Sequence, residues 1–171
     1  MVDAQIRNAE IPIDTDAVAR LWLDYLTWGN DEMESNHGFR LPVEEAVRHD
    51  LETIGKFEPP DGRLLLAVDD DAAIGTAALR RVGPDTAEIK RMWVDPSKRR
   101  SGIGRSMLDR LLGAANDAGY ARVVLDSPDF MIAAHALYRT RGFQDTVPYA
   151  ESEIPPEYHS YWVFMQRRLR R

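Results

Sequence analysis

Between Arg63 and Val94 three apolar runs follow one another with almost no chain between them. RLLLAV (Arg63–Val68), AAIGTAALRR (Ala72–Arg81) and AEIKRMWV (Ala87–Val94) are separated only by Asp69-Asp70-Asp71 and by a turn built on Gly83-Pro84-Asp85. Their length and their turn-forming boundaries mark them as strands. Links this short join only antiparallel neighbours, so the runs predict a meander. On either side of it the apolar spacing becomes helical. Val18, Leu21, Trp22, Tyr25 and Leu26 predict a helix over Asp14–Asn30, stopped by Gly29-Asn30. Val43, Ala46, Val47, Leu51 and Ile54 predict a second over Pro42–Ile54, and Phe57–Gly62 is a turn. Asp95-Pro96 ends the third strand. Ile103, Met107, Leu108, Leu111 and Ala115 then mark a helix that ends at Gly119. Ala121–Asp126 reads as a short buried strand and Ala133–Arg141 as a helix closed by Gly142. Phe143–Val147 and Tyr161–Arg168 read as closing strands, and Gln5–Ala9 allows one more. The order is ααβββαβαββ, an α/β (α+β) class in which helices cover a sheet. A chain of 171 residues with no repeat or linker is expected to form one domain, residues 1–171.

Charge and composition remove several functions. Lys plus Arg is 22 against 28 Asp plus Glu, a net charge of −6. That is a poor starting point for a nucleic-acid binder. There is no cysteine, which excludes disulfides, thiolate metal sites and a cysteine nucleophile and fits a reducing cytoplasm. The start, MVDAQIRNAE, has no apolar leader, and no apolar run approaches the roughly 18 residues of a membrane span. His37, His49 and His159 show no ligand spacing, so no metal is expected.

Within that acidic chain, RRSGIGRSM (Arg99–Met107) concentrates basic residues and glycine at a helix start. A Walker A loop would need Gly-Lys-Ser/Thr, which is absent, and a dinucleotide fingerprint would need a third glycine where Met107 stands. An anion site remains: Gly102 and Gly104 admit close backbone approach, the helix N-terminus adds positive dipole, and Lys98, Arg99, Arg100 and Arg105 crowd the same spot. An ordinary strand-to-helix turn with solvated arginines is the alternative.

EIKRMWVDPSKRRSGIGRSMLDRLL resembles the acetyl-CoA-binding signature of the GNAT superfamily of N-acetyltransferases, a strand, V-x-P, then Arg/Gln-x-x-Gly-x-Gly/Ala opening a helix. Arg99, Gly102 and Gly104 match it position for position. LDSPDFMIAAHALYRTRGF is similar to the second half of that binding site through Ala134, Leu137, Tyr138, Gly142 and Phe143. The resemblance covers Arg63 to Phe143. It departs at Arg100 and Ser101, where many relatives have glycine and lysine, and at Met131, where many have asparagine.

The resemblance implies a mostly antiparallel mixed sheet, acetyl-CoA as cosubstrate, and direct attack by an amine in a ternary complex. It implies cofactor contacts from Met92, Trp93 and Val94, where the strand should splay, and from Arg99, Arg100, Ser101, Gly102, Ile103, Gly104 and Arg105 around the pyrophosphate. Met131 and Ala134 complete that set, and a backbone N–H near Met92 would receive the oxyanion. Tyr138 is the candidate acid for the leaving thiolate, since a phenol is protonated at neutral pH. Its alternative is a core aromatic. Glu88 is the candidate base. Period two puts Glu88, Lys90, Met92 and Val94 on one face, where Lys90 could instead pair with Glu88. Asp126 and a bridging water are rivals, and His135 is read as structural.

The acceptor is expected at Trp22, Tyr25, Trp28, Asn30–Arg40 and the Pro148–Tyr158 segment. The carboxylates there, Asp24, Asp31, Glu32 and Glu34, suit a cationic small-molecule amine. A protein or peptide amine is the second choice, and an acyl-CoA-binding module without turnover is the non-enzymatic one. A homodimer is allowed; nucleic acid and membrane are not expected partners. The terminal QRRLRR reads as a solvated tail.

Overall fold

The computed structural model describes residues 4–169. Seven strands form one sheet: β1 (Gln5–Asn8), β2 (Arg63–Asp69), β3 (Ala72–Arg81), β4 (Thr86–Val94), β5 (Arg122–Pro128), β6 (Gln144–Thr146) and β7 (Trp162–Arg168), in the order β1-β2-β3-β4-β5-β7-β6. Every neighbouring pair is antiparallel except β4–β5. The optional first strand is therefore real, and the meander is as expected. Central strands are covered on both faces, which is why β2 reads as an unbroken apolar run. Leu65 and Ala67 join one core, while Leu64 and Leu66 join the other.

The first core is closed by α3 (Ile103–Asp117) and α4 (Ile132–Thr140), the second by α1 (Thr15–His37) and α2 (Val43–Glu52). Ile103, Met107, Leu108, Leu111 and Ala115 are buried on α3 as their spacing requires. Helix α1 runs on past Gly29-Asn30 to a left-handed Gly38. Asn30 is buried and uses its amide to hold a later loop: Nδ2 donates to Leu41 O at 2.8 Å, and Leu41 N donates to Oδ1 at 2.9 Å. A residue that commonly ends a helix is here a tie across the layer. Helix α2 is shorter than predicted, and a 3-10 turn at Ile54–Phe57 takes over its last residues. Strand β6 keeps only three residues of the predicted Phe143–Val147, since Phe143 turns into the core beside Tyr138. Gln166–Arg168 belong to β7 rather than to a free tail, and Arg170–Arg171 lie outside the described residues. Among the described residues no helix is long and apolar enough to cross a membrane.

Two irregularities open this sheet. Strands β4 and β5 pair only at Thr86–Arg122, Ala87–Val123 and Glu88–Val124. Beyond that, β4 stays with β3 as far as Val94, and β5 stays with β7 as far as Pro128. The expected splay therefore begins just after Glu88. The second irregularity is a bulge. Thr76 faces Trp93 and Ala78 faces Lys90, so Ala77 alone stands opposite Arg91 and Met92. Arg91 takes a left-handed φ of 54°. One extra residue inverts the alternation of side chains. Ala87 and Ile89 belong to the α3 core, and beyond the bulge Met92 and Val94 pack against that same core, while Trp93 joins the other. Glu88 and Lys90 thus do not share a face with Met92 and Val94, which corrects the period-two expectation.

Candidate active site

A cavity of about 750 Å³ fills the split between the two limbs of the sheet. Its wall comes from three places. Met92, Trp93 and Val94 line it from β4, the loop and first turn Arg99–Arg105 from α3, and Met131, Ala134, Leu137 and Tyr138 from the α4 side. Every residue expected at the cofactor lies on this one wall. Pro96, Lys98, Phe130, Ile132, Ala133 and Trp28 lie there as well and were not assigned to the cofactor by sequence. All but Trp28 fall inside the two runs that carry the resemblance, Pro96 as the proline of V-x-P and Lys98 in the basic cluster.

The loop is shaped for close approach. Asp95 Oδ1 accepts from Ser97 N at 2.8 Å and so starts the turn, and Ser101 Oγ donates to Lys98 O at 2.6 Å. Arg100 and Gly102 both have left-handed backbone, φ 65° and 86°. This explains why glycine is common at the position of Arg100; an arginine there carries on the order of 1 kcal/mol of strain. Helix α3 starts on Gly102 with no side-chain cap, so its first N–H groups keep their donor capacity and the positive end of the dipole. A Cβ on Gly104 would lie 3.7 Å from Leu137, 3.8 Å from Met92 and 4.0 Å from Val94. The free chain tolerates it, but a larger group would fill the cleft between α3, α4 and β4.

The four basic residues are not equivalent. Lys98 is paired with Asp69 at 2.8 Å. Arg99 stacks its guanidinium on Trp93 and Trp28, 4.5 and 5.1 Å from their centroids, and donates from Nε to Val94 O. Burial lowers its pKa. Arg100 and Arg105 line the wall without an ion pair among the described residues. They are the charges left for an anion.

On the α4 side of that wall Met131 Sδ receives the Tyr25 hydroxyl at 3.7 Å and the Ser127 hydroxyl at 3.5 Å, so a thioether takes the place of an amide. His135 is buried, 3.0 Å from Ser127 Oγ, and burial holds its pKa low. It does not line the cavity. Tyr138 is buried with its side chain at the cavity. Burial, reinforced by Tyr25, pushes its phenol up, so it is a proton donor at neutral pH.

Glu88 does not line the cavity. It lies where the strands part, 1% exposed. Arg80 Nε and Nη2 both reach Glu88 Oε2 at 2.6 Å, and the Tyr149 hydroxyl is 2.7 Å from Oε1. That same hydroxyl is 2.9 Å from Asp126 Oδ2, which also accepts from Ser152. The two rival bases are thus joined. Burial raises the Glu88 pKa and Asp126 adds to it, against the pull of Lys90 and Arg80. Lys90 bonds to Glu153 rather than to Glu88, and Arg80 reaches Glu153 at 3.0 Å. The loop Val147–Pro155 is therefore strapped across β3, β4 and β5. Arg80, Arg91 and Tyr149 have no role in the sequence reading beyond the last one's place in the acceptor segment. Only folding brings them to Glu88 and the bulge.

The expected acceptor residues separate into groups. Trp22 is fully buried against Phe57 and belongs to the core, not to a site. Tyr25 stacks on Trp93 at 5.4 Å, and Trp28 lies between Trp93 and Phe130 at the cavity mouth. Asp24 pairs with Arg20, and Asp31 and Glu34 pair with Arg40, all exposed. His37 meets Asp129 at 2.8 Å, and Phe39 stacks on Tyr158 at 4.9 Å, tying the end of α1 to the segment before β7.

Residues 20–143 match the family model described as "Acetyltransferase (GNAT) family". An uncharacterised N-acetyltransferase of Schizosaccharomyces pombe is 29% identical, with 88% of each chain covered. An IAA acetyltransferase of Azospirillum brasilense is 33% identical over 70% of this chain and 76% of its own. The PaiA N-acetyltransferase of Thermoplasma acidophilum, solved in complex with coenzyme A, superposes with a TM-score of 0.74 at 16% identity, covering 98% of this chain and 99% of its own. With a cavity at the split of a mostly antiparallel sheet and the signature loop on its wall, the chain belongs to the GNAT family of acetyltransferases and is an acyltransferase.

Proposed function

We propose that the protein transfers the acetyl group of acetyl-CoA to the primary amine of a small molecule by direct attack in a ternary complex. The observation that carries this is the single wall on which the loop, the freed edge of β4 and the Tyr138 phenol meet. The coenzyme A complex of the Thermoplasma relative supports the choice of cosubstrate. In this reading the α3 first turn, Arg100 and Arg105 bind the pyrophosphate. The β4 backbone from Met92 to Val94, left without a β5 partner, binds the pantetheine amides, and a backbone N–H near Met92 stabilises the oxyanion. Bound acetyl-CoA supplies the electrophilic thioester carbonyl and the thiolate leaving group. Glu88 and Asp126 take up the amine's proton, directly or through water, and Tyr138 protonates the departing sulfur. The strap tied down through Glu153 favours a compact acceptor over an extended polypeptide.

Free-thiol release from acetyl-CoA against a panel of amines tests the reaction. Release that requires an amine is expected. Binding of acetyl-CoA with no amine-dependent release would leave a module without turnover instead. Calorimetry on Gly104→Val tests the site: the variant should melt like the parent and bind acetyl-CoA at least about tenfold more weakly, because Val fills the space that a ligand must approach. Unchanged affinity in the folded variant would sink the assignment of the loop.

A further inference from the structure

Tyr149 has one hydroxyl proton and two carboxyl neighbours. Its oxygen is 2.7 Å from Glu88 Oε1 and 2.9 Å from Asp126 Oδ2. A phenol donates one hydrogen bond, and any further bond must be accepted. With both carboxyls ionised, one of the two contacts would set oxygen lone pairs against each other with no proton between them. The arrangement therefore calls for one proton beyond the phenol's own. We infer that Glu88 and Asp126 hold a single shared proton which Tyr149 passes between them, so that Tyr149 positions the base of the reaction. This role in catalysis rests on the acetyl-transfer reading above; the shared proton does not.

The surroundings act on both ends of the pair. From β3, Arg80 puts two nitrogens on Glu88 Oε2, and from β4 Lys90 faces the same carboxylate while bonded to Glu153. Both draw Glu88 toward the ionised form, against its burial. From the strap, Ser152 donates to Asp126 Oδ2, and Glu153 returns charge to Arg80 and Lys90, with Asp50 of α2 behind it. From α1, Tyr25 faces Asp126, with Arg91 close to the same phenol. The proton belongs to the pair: the carboxyl that carries it donates to Tyr149 Oη, and Tyr149 donates to the ionised one. Burial and the two carboxyls push the Tyr149 phenol upward, which keeps it neutral.

The transfer balances. From the form with the proton on Asp126, the Asp126 O–H bond breaks as its proton bonds to the phenol oxygen, while the phenol's original proton moves to Glu88 Oε1. Asp126 is left ionised on the side facing Tyr25 and can take a proton from an incoming ammonium. One O–H is formed for each one broken, and the phenol is neutral before and after. Two carboxyls linked in this way titrate as a pair rather than as two residues.

The test is infrared spectroscopy of the full chain with carbon-13 in the aspartate or the glutamate carboxyls. At pH 7 a protonated carboxyl band that moves with the aspartate or the glutamate label is expected, although ordinary carboxyls ionise near pH 4. Tyr149→Phe, which keeps the ring against Phe164, should lower the midpoint of that band by at least about one pH unit, a tenfold loss of proton affinity. Ser152→Ala removes a donor to ionised Asp126 and should raise it. It also serves where the first variant fails to fold. The acid limb of kcat/KM, read as free-thiol release with an amine that the panel identifies, should move in the same directions. A wild-type spectrum with no protonated carboxyl at pH 7, or midpoints the two variants leave in place, overturns the proposal even in an active enzyme. A band present without amine-dependent thiol release overturns the role as base together with the acetyl-transfer reading.

Discussion

Asp50 and Glu88 are both 1% exposed carboxyls beside β4, and they are pushed in opposite directions. Burial raises both. Around Asp50 every close partner is a cation: Lys56 at 2.6 Å, Arg91 at 2.6 Å, and Lys90 beyond, which together bring its pKa below the usual range. Around Glu88 burial and a second acid held through Tyr149 outweigh the cations Lys90 and Arg80, and its pKa stays high. A buried carboxylate enclosed by cations is a clamp. One that shares its pocket with another acid is a place to keep a proton. What Asp50 clamps is specific: Arg91 stands at the bulge with left-handed backbone, and that bulge turns Met92 and Val94 toward the cavity.

The largest effect that would break this contrast is on stability. Asp50→Ala leaves the half-buried Arg91 and Lys56 without their buried anion and removes the anchor of a strained residue. Losing one partner of a buried pair typically costs about 3–5 kcal/mol, and urea denaturation should show a loss of that size. Turnover per folded molecule should fall less than about tenfold. Glu88→Gln should do the reverse. An amide of the same shape replaces a carboxyl inclined to be neutral, so stability should move by less than about 1 kcal/mol. Amine-dependent thiol release should fall at least about a hundredfold, roughly 2.7 kcal/mol in barrier. If Asp50→Ala is folded and slow while Glu88→Gln is unstable and fast, the two roles have been assigned the wrong way round.

The two sites also differ in how far the sequence reveals them. The wall proposed for the cofactor is mostly contiguous, Met92 to Arg105 and Met131 to Tyr138, so spacing and motif reach the residues that line it. Met92 and Val94 reach that wall only through the bulge, and period-two counting has no means of seeing an inserted residue. A non-glycine left-handed residue such as Arg91 leaves no mark in composition. The linked carboxyl cluster is assembled from Arg80, Glu88, Asp126, Tyr149 and Ser152, which come from three strands and a strap joined only in the fold. Sequence reading proposed Glu88 and Asp126 as rivals because nothing in it could place one phenol between them. Gly29-Asn30 failed as a stop for a similar reason, since the partner that holds Asn30 is Leu41 in a later loop.

A smaller effect sharpens the contrast from the cavity side. Tyr138→Phe keeps the ring packed near Phe143 and removes only the proton donor. The rate should fall at least about tenfold, the lower figure applying where water substitutes, with acetyl-CoA affinity nearly constant by calorimetry. Less than about a threefold loss, on the order of 0.6 kcal/mol, would make Tyr138 a core aromatic and leave Glu88 without a matching acid.

The finest discrimination is the slope of stability against pH. Asp50 holds its folded pKa below an unfolded value of about 3.9, so its contribution is complete above that value and is lost as pH falls through the folded one. Glu88 holds its folded pKa above an unfolded value of about 4.3. Its contribution is complete below that value and is lost as pH rises through the folded one, because the folded state keeps a proton that the unfolded chain has released. Unfolding free energies for the wild type, Asp50→Asn and Glu88→Gln between about pH 3 and pH 8 would separate the two. The advantage of wild type over Asp50→Asn should grow as pH rises from 3 to 5. Its advantage over Glu88→Gln should shrink as pH rises from 4 toward neutrality. Neither slope can exceed about 1.4 kcal/mol per pH unit, the limit for one proton. Slopes of the same sign would mean that both carboxyls are clamps, and the proton held between Glu88 and Asp126 would have no place to reside.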